Sequence, residues 1–379
     1  MLKILRYITK RFLIISNVGL SMVMLLLYIL PVTNQRLSWF INLVALMLPF
    51  LLVLQIGFFL FWLFAKRKLV WIPVITLLLC WNLIGSLIGF HPSAKKKVKE
   101  ENDFRVATWN THLFNFFENN GKLDAGMMKE AKDFRADVFA VQEFVFSLDS
   151  SSSITLDKVK QRLGFKYVVA ANDRAFGVHT NYKQRNERYH PFCVAIFSNH
   201  PILQWKKVQS LKEYNHTFLW ADILVNNDTV RVFNIHLQSM HFGRNEYAFI
   251  ENIDQQDMDN VQKGSKNIIR KMRSAYMLRA SQALDVKAEI EQSPYPVIVC
   301  GDMNDVPNSF AYQTISKNLY DSYTEKGWGI GRTFQFLSPT LRIDYVLHSK
   351  QLELKQVQII RPSPGDHNPV IADFKIPGK

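Results

Sequence analysis

Two packed β-sheets flanked by helices, an α+β or four-layer arrangement standing behind about three transmembrane helices, is the architecture this sequence predicts. Two observations carry it. The first hundred residues hold three long apolar stretches, and from Phe104 onward short β-rich runs alternate with polar loops and a few helical segments. The chain of 379 residues is 48% hydrophobic and 21% charged, which excludes wholesale disorder.

The apolar stretches are residues 12–32, 37–64 and 69–90. Each approaches the ~20 residues a helix needs to cross a bilayer. The second carries no charged residue, and a soluble core helix rarely stays apolar on every face for so long. Pro31, the Lys66-Arg67-Lys68 cluster and His91-Pro92 punctuate them. The expected division is a membrane anchor over 1–91, a polar linker over 92–103 and a catalytic domain over 104–379.

Charge follows the same division. The net charge is +14, but residues 1–100 hold 12 Lys/Arg against the single acid Glu100, which leaves only +3 for the remainder. The basicity therefore belongs to the anchor, and a strongly cationic catalytic domain is not supported. Lys3, Arg6, Lys10, Arg11 and the 66–68 cluster would share one side of the membrane; Arg36, Lys95, Lys96, Lys97 and Lys99 would share the other. The positive-inside rule then places the N-terminus in the cytoplasm and the catalytic domain outside it, as in a multi-pass protein of a bacterial inner membrane. Cys80, Cys193 and Cys300 are too few for a disulfide framework, and no C-x-x-C pair suggests zinc.

In the domain itself, apolar β-rich runs predict strands over 104–109, 137–141, 167–170, 193–198, 218–224, 229–236, 297–301, 342–348, 356–361 and 368–374. Helices fit 125–135, 156–163, 264–292 and 309–316. The third has Ile268, Ile269, Met272, Tyr276, Ala280 and Leu284 at roughly helical spacing. No internal repeat is visible.

Polar side chains able to ligate a metal or move a proton recur at the ends of these runs: Asn110, Glu143, His236, Asp302, Asn304, Asp344, Asp366 and His367. Taken singly, each is explained by turn chemistry or a hydrogen-bonded structural role. Their joint placement at strand ends points instead to one rim with convergent polar groups. Carboxylates and carboxamides are hard oxygen donors that suit Mg²⁺ or Mn²⁺ rather than zinc or copper. Histidine adds a group that titrates near neutral pH, and Asp344 is suited to fix the tautomer of His367. An extended chain would aim Asp302 and Asn304 at one face. The chemistry implied is metal-assisted hydrolysis of a phosphate ester. A serine-hydrolase reading of Asp344 and His367 lacks a G-x-S-x-G elbow, and Cys300 sits in an apolar run that reads as core.

The segments ATWNTHLFN, DVFAVQEF, VAIFSNHPI, FNIHLQS, VIVCGDMNDVPNS, RIDYVLHS and GDHNPVIADF follow one another in an order that resembles the endonuclease/exonuclease/phosphatase superfamily, over about residues 104–376. The resemblance implies a four-layer α/β/β/α sandwich. It implies that Glu143 is the principal metal-binding glutamate, with Asn110 contributing to the metal and phosphate site and Asp366 near the metal. His236 would hydrogen-bond a phosphate oxygen, and Asp302 and Asn304 would position the attacking water and the phosphate. His367 would act as base or phosphate ligand, oriented by Asp344. Arg279 and Gln282 resemble an R-x-x-Q helix that supports the histidine strand.

Two features depart from that pattern. Phe192-Cys193 precede Val194, where many relatives have glycine, so the cleft wall is expected to differ. The stretch from His236 to Arg279 is long, acidic at first (Glu246, Glu251, Asp254, Asp257, Asp259) and then basic (Lys263, Lys266, Arg270, Lys271, Arg273). It reads as a substrate- or membrane-facing lid or as a solvated helix face. The loop 174–190, with Arg174, Lys183, Arg185, Arg188, Tyr182 and Tyr189, would suit nucleic acid. The sequence thus ranks a membrane-anchored, nuclease-like phosphodiesterase first, a lipid or inositol-phosphate phosphoesterase second and a non-catalytic membrane scaffold last. The bilayer and a phosphate-ester substrate, nucleic acid or phospholipid, are the expected partners, with no protein partner.

Overall fold

The computed structural model describes residues 2–30, 38–92, 98–173, 192–209, 217–240, 242–253 and 257–376. Helices α1 (Leu2–Ile29) and α3 (Leu48–Ala65) are long and apolar enough to cross a membrane. The second apolar stretch is not one helix. It divides into α2 (Ser38–Ala45) and α3 at Leu46-Met47. Pro49 supplies the reason: it is accepted in the first turn of α3, but a continuous helix would drive its ring into the Ala45 carbonyl. The third stretch forms α4 (Trp71–Leu79) and α5 (Trp81–Leu87), bent by 61°, so among the described residues the candidate spans number two, or three if the bent pair is one.

Helices α1 and α3 are joined by buried polar side chains. Trp62 Nε1 donates to Asn17 Oδ1 at 3.1 Å, Asn17 Nδ2 to Gln55 Oε1 at 3.2 Å, and Gln55 Nε2 to Ser21 Oγ at 3.1 Å. In an apolar environment such pairs hold helices together because an unpaired amide there is costly.

After α5, the two-residue strand β1 (Gly89–Phe90) pairs with a strand late in the chain. The C-terminal body then runs β2 (Phe104–Asn110), α6 (Ala125–Asp133), β3 (Val138–Val145), α7 (Leu156–Leu163), β4 (Tyr167–Asp173), β5 (Phe192–Ser198), β6 (Ile202–Gln209), β7 (Thr217–Val225) and β8 (Asp228–His236). Helices α8 (Arg244–Glu251) and α9 (Met258–Glu291) precede β9 (Val297–Asp302), α10 (Phe310–Ile315), β10 (Tyr320–Asp321), α11 (Ser322–Lys326) and β11 (Trp328–Gly329), the partner of β1. Strands β12 (Asp344–His348), β13 (Glu353–Ile359) and β14 (Val370–Lys375) complete it.

The body has two six-stranded sheets, ordered β13-β14-β2-β3-β5-β4 and β10-β12-β9-β8-β7-β6. Alternation along β2 shows how the layers arise. Phe104 and Val106 face the other sheet, where they meet Leu219, Val232 and Ile298, while Ala107 and Trp109 face Met127 of α6 and, with it, Val159 of α7. On the far side Phe233, Ile235 and Val299 pack against Ala283 and Val286 of α9 and Ile315 of α10. Helix, sheet, sheet and helix therefore stack in four layers, as the sequence led one to expect.

Among the elements that escaped the sequence reading, two stand out. Strand β6 lies at a sheet edge and carries Lys206 and Lys207, the charge pattern with which edges avoid further pairing. Helix α8 folds back on α9 through Glu246, whose Oε1 accepts from Lys271 Nζ at 2.6 Å. Helix α9 starts at Met258, earlier than expected, because the Asp257 carboxylate caps it by accepting from Asn260 N.

Candidate active site

Strand register brings the functional side chains to one rim. In the second sheet His236 lies opposite Asp302 across the parallel β8–β9 pair, and Asp302 lies opposite Asp344 across β9–β12. In the first sheet Asn110 lies opposite Gln142. Gly301 has φ 137, and any side chain there would strike the Ile235 carbonyl, which explains the glycine ahead of Asp302.

Asp302 is buried and held by donors from both sheets. Its Oδ1 accepts from Asn304 N at 2.7 Å, and its Oδ2 accepts from Asn110 Nδ2 at 3.0 Å and Asn304 Nδ2 at 3.2 Å. The expectation that Asp302 and Asn304 share a face through an extended chain is corrected: Asn304 has φ 51 and meets Asp302 through a tight turn. Burial, with the Asp344 charge added, pushes Asp302 up to about 6 against the pull of His367 and His236.

Glu143 reaches the same place by a bulge. Val141 pairs with Ala195 and Phe144 with Cys193, so β3 carries one extra residue, and Glu143 takes φ 45. Its Oε1 lies 3.7 Å from His236 Nε2, and His236 Nε2 lies 3.8 Å from Asp302 Oδ2. Burial opposes its ionisation, but His112, His236 and His367 hold Glu143 down to about 2.

His367 Nδ1 lies 2.9 Å from Asp344 Oδ2 and 3.1 Å from Asp344 Oδ1, and its Nε2 is 3.8 Å from Asp302 Oδ2. Trp109 Nε1 donates to the His367 carbonyl at 2.9 Å and anchors the backbone. Burial alone would lower His367, yet Asp344 and Asp302 raise it well above the ordinary imidazole value. Asp366 joins through His112, whose Nδ1 is 3.7 Å from Asp366 Oδ2 and 3.6 Å from Glu143 Oε2. The structure thus brings all eight of the sequence-identified side chains into one chain of contacts.

Two further contributors, His112 and Asp305, were not singled out from the sequence. His112 lies in the same motif as Asn110 and is raised to about 9, chiefly by Glu143 against burial and with help from Asp366. Asp305, beyond Asn304, sits 3.2 Å from Arg279 Nε. Arg279 also donates from Nη1 to the carbonyls of Gln238 at 3.0 Å and Asn304 at 2.5 Å, and Gln282 Oε1 accepts from Gln238 N at 2.9 Å, so these two residues brace the turn behind the site. Cys193 is buried with its thiol 3.4 Å from the Phe144 carbonyl. The loop 174–190 lies outside the described residues.

Asp302, Asp344 and His367 form a buried cluster close enough to hold an ion, with ligand atoms within 4.8 Å of one another. Both Asp344 oxygens are already committed to His367 Nδ1, however. Asp366 Oδ1 is buried without a hydrogen-bond partner, and with Glu143 it offers an oxygen-rich pair that a hard cation would satisfy. The donor set therefore fits a divalent metal. Asn110, Glu143, Asp302, Asn304, Asp366 and His367 floor a cleft of about 1040 Å³ that is bordered by α8, α9, the 334–341 loop and residues of the α2–α3 junction, with Asp344 and His236 behind them.

Comparison with known proteins agrees with this architecture. The chain is similar to an endonuclease/exonuclease/phosphatase from Beutenbergia cavernae at 16% identity and a TM-score of 0.52, with 73% of this chain and 72% of the other covered. A mannosyl-6-phosphatase of Bacteroides thetaiotaomicron matches at 16% identity and TM-score 0.49 (72% and 99% covered). The human Nocturnin catalytic domain with bound sulfate anion matches at 16% and 0.47 (75% and 98% covered). No curated protein sequence matches significantly. Residues 10–87 match a family model described as a domain of unknown function. Residues 107–367 match that of the endonuclease/exonuclease/phosphatase family, which spans most of the chain, and the protein belongs to that family.

Proposed function

We propose that the protein is a membrane-anchored, divalent-metal-dependent phosphoesterase that cleaves a P–O bond by attack of water. The observation that carries this reading is the continuous array Asp344–His367–Asp302–His236–Glu143, with successive contacts of 2.9, 3.8, 3.8 and 3.7 Å. At the end of that array Glu143, with Asp366 and Asn110 beside it, would hold Mg²⁺ or Mn²⁺. When bound, such an ion neutralises phosphate charge and stabilises the leaving oxygen.

The chain's own groups divide the remaining work. His367, kept protonated by Asp344, offers Nε2–H to a phosphate oxygen, and His236 offers a further donor, while Asn304 spends its N–H and Nδ2 hydrogens on Asp302 and the Leu237 carbonyl. Asp302, standing near 6 and aligned by Asn110 and Asn304, accepts a proton from the attacking water. Two strained backbones at the site, Glu143 and Asn304, support the same reading, since left-handed non-glycine residues persist where function requires a fixed geometry. The apolar helices serve as the anchor, and the charge bias of their flanks favours an extracytoplasmic catalytic body. An alkaline phosphatase reporter fused after Gly378 reads that orientation.

The test is Mg²⁺-dependent release of p-nitrophenol from bis-p-nitrophenyl phosphate by the full chain in nanodiscs. Activity that is lost on chelation and falls at least a hundredfold in both Glu143→Gln and His367→Ala supports the proposal. Activity equal to that of the variants overturns it and favours a non-catalytic membrane scaffold.

A further inference from the structure

The catalytic cleft has two unlike surfaces. Its floor is the polar cluster described above. Its wall is apolar, and part of that wall comes from the N-terminal helices: Leu46 and Met47 at the α2–α3 elbow and Phe50 in the first turn of α3. Phe336 and Leu337 of the 334–341 loop line the same cleft. Met47, Phe50, Phe336 and Leu337 are 51%, 45%, 54% and 47% exposed, so large hydrocarbon surfaces border the entrance without covering one another.

Two further facts say what such a wall is for. Helix α3 is a candidate membrane span, and its first turn borders the cleft, so the entrance is continuous with the apolar surface that enters a bilayer. The N-terminal helices, α2 and α5 among them, are also fixed against the catalytic body rather than tethered loosely. Asn42 Oδ1 accepts from Phe310 N at 3.1 Å, Ser86 Oγ donates to Asn308 Oδ1 at 2.7 Å, and Arg342 Nη2 donates to the Ser86 carbonyl at 2.7 Å. Arg273 of α9 lies over the Trp39 ring at 5.3 Å. Among the described residues that line the cleft there is no lysine or arginine.

We propose that the substrate is an amphiphile, a phosphate ester bearing a hydrocarbon chain, which enters from the bilayer with its phosphorus at the polar floor and its chain along the wall of Met47, Phe50, Phe336 and Leu337. This rests on the phosphoesterase reading above and narrows its substrate class from a soluble or nucleic-acid ester to a lipid one. In the reaction the water oxygen bonds to phosphorus as the P–O bond to the leaving oxygen breaks. One water proton stays on the product phosphate, and the other ends on the released alcohol.

The experiment uses the full chain in nanodiscs with a series of alkyl p-nitrophenyl phosphates (ethyl, butyl, hexyl, octyl) that share one leaving group. Burial of each added methylene is worth about threefold in kcat/KM, so the octyl ester should exceed the ethyl ester at least a hundredfold. Met47→Gln and Phe336→Ser should each cut that octyl-to-ethyl ratio at least tenfold. Because partition into the nanodisc is the same for parent and variants, the change in ratio reads the wall itself. A ratio under threefold, or one that both variants leave unchanged, overturns the amphiphile proposal, as does faster cleavage of a single-stranded oligonucleotide than of the octyl ester. No chelator-sensitive release of nitrophenol from any ester overturns the phosphoesterase reading instead.

Discussion

Gln142 Nε2 donates to Asn234 Oδ1 at 2.6 Å across the interface between the two sheets, directly beneath the site. Each is a near neighbour in sequence of a residue of the active-site array, Glu143 and His236. Asn234 Nδ2 in turn donates to the carbonyls of Val141 and Ala195, at 2.9 and 2.8 Å, where the β3 bulge interrupts the ladder. One carboxamide thus satisfies the backbone that the bulge releases and ties β3 to β8 at the height of the reacting groups.

Asn234→Leu should therefore do more than remove one contact. It removes the donor to two buried carbonyls and one of the three acceptors of the Gln142 amide, at a cost of about 3 kcal/mol. Thermal unfolding should show a fall in Tm of several degrees, and the Mg²⁺ concentration for half-maximal activity should rise as Glu143 loses its fixed position. An unchanged Tm would contradict this account of the bulge.

The Asp344–His367 pair makes a sharper kinetic claim. Asp344→Asn keeps the shape but removes the charge that holds His367 protonated and its tautomer fixed. We expect kcat to fall by roughly a hundredfold or more with little change in KM. A change confined to KM would mean that Asp344 has no part in orienting the imidazole.

Metal dependence can be read without turnover. Mg²⁺ that binds only the folded protein raises Tm in proportion to the logarithm of its concentration. That rise should appear in the parent protein after dialysis against EDTA and should weaken at least tenfold in apparent affinity, roughly the penalty for disturbing a metal site, in Glu143→Gln. Equal Mg²⁺ shifts in both proteins would remove Glu143 from the metal site.

Asp305 supplies a pH prediction. Burial raises it to about 6 from 3.8, against the pull of Arg279. The folded protein then keeps a proton that the unfolded chain releases, so the contribution of Asp305 to stability falls as pH rises from about 4 to about 6 and is level above that. The difference in unfolding free energy between the parent and Asp305→Asn should shrink by about 3 kcal/mol across that window. Denaturant titrations at pH 4, 5, 6 and 7 would reveal it, and a difference that grows with pH would show the opposite sign.

What the sequence by itself determined is the layering and the set of side chains able to carry chemistry. An apolar run that ends in Glu143, His236 or Asp302 is a local signal, and the alternation along β2 specifies which side chains face which layer. The charge split likewise separates the apolar N-terminal helices from the C-terminal body. Only the tertiary structure decided how these pieces meet. Strand register sets His236, Asp302 and Asp344 side by side, the bulge turns Glu143 towards them, and His112 joins through a backbone conformation that no pattern announces. The α2–α3 elbow was half legible, because Pro49 marks where a helix must start but not what the break will touch. Its place beside the cleft depends on contacts such as Asn42 with Phe310 and Ser86 with Asn308. These join residues far apart in the chain, and local propensity carries no information about which distant surfaces will pack together.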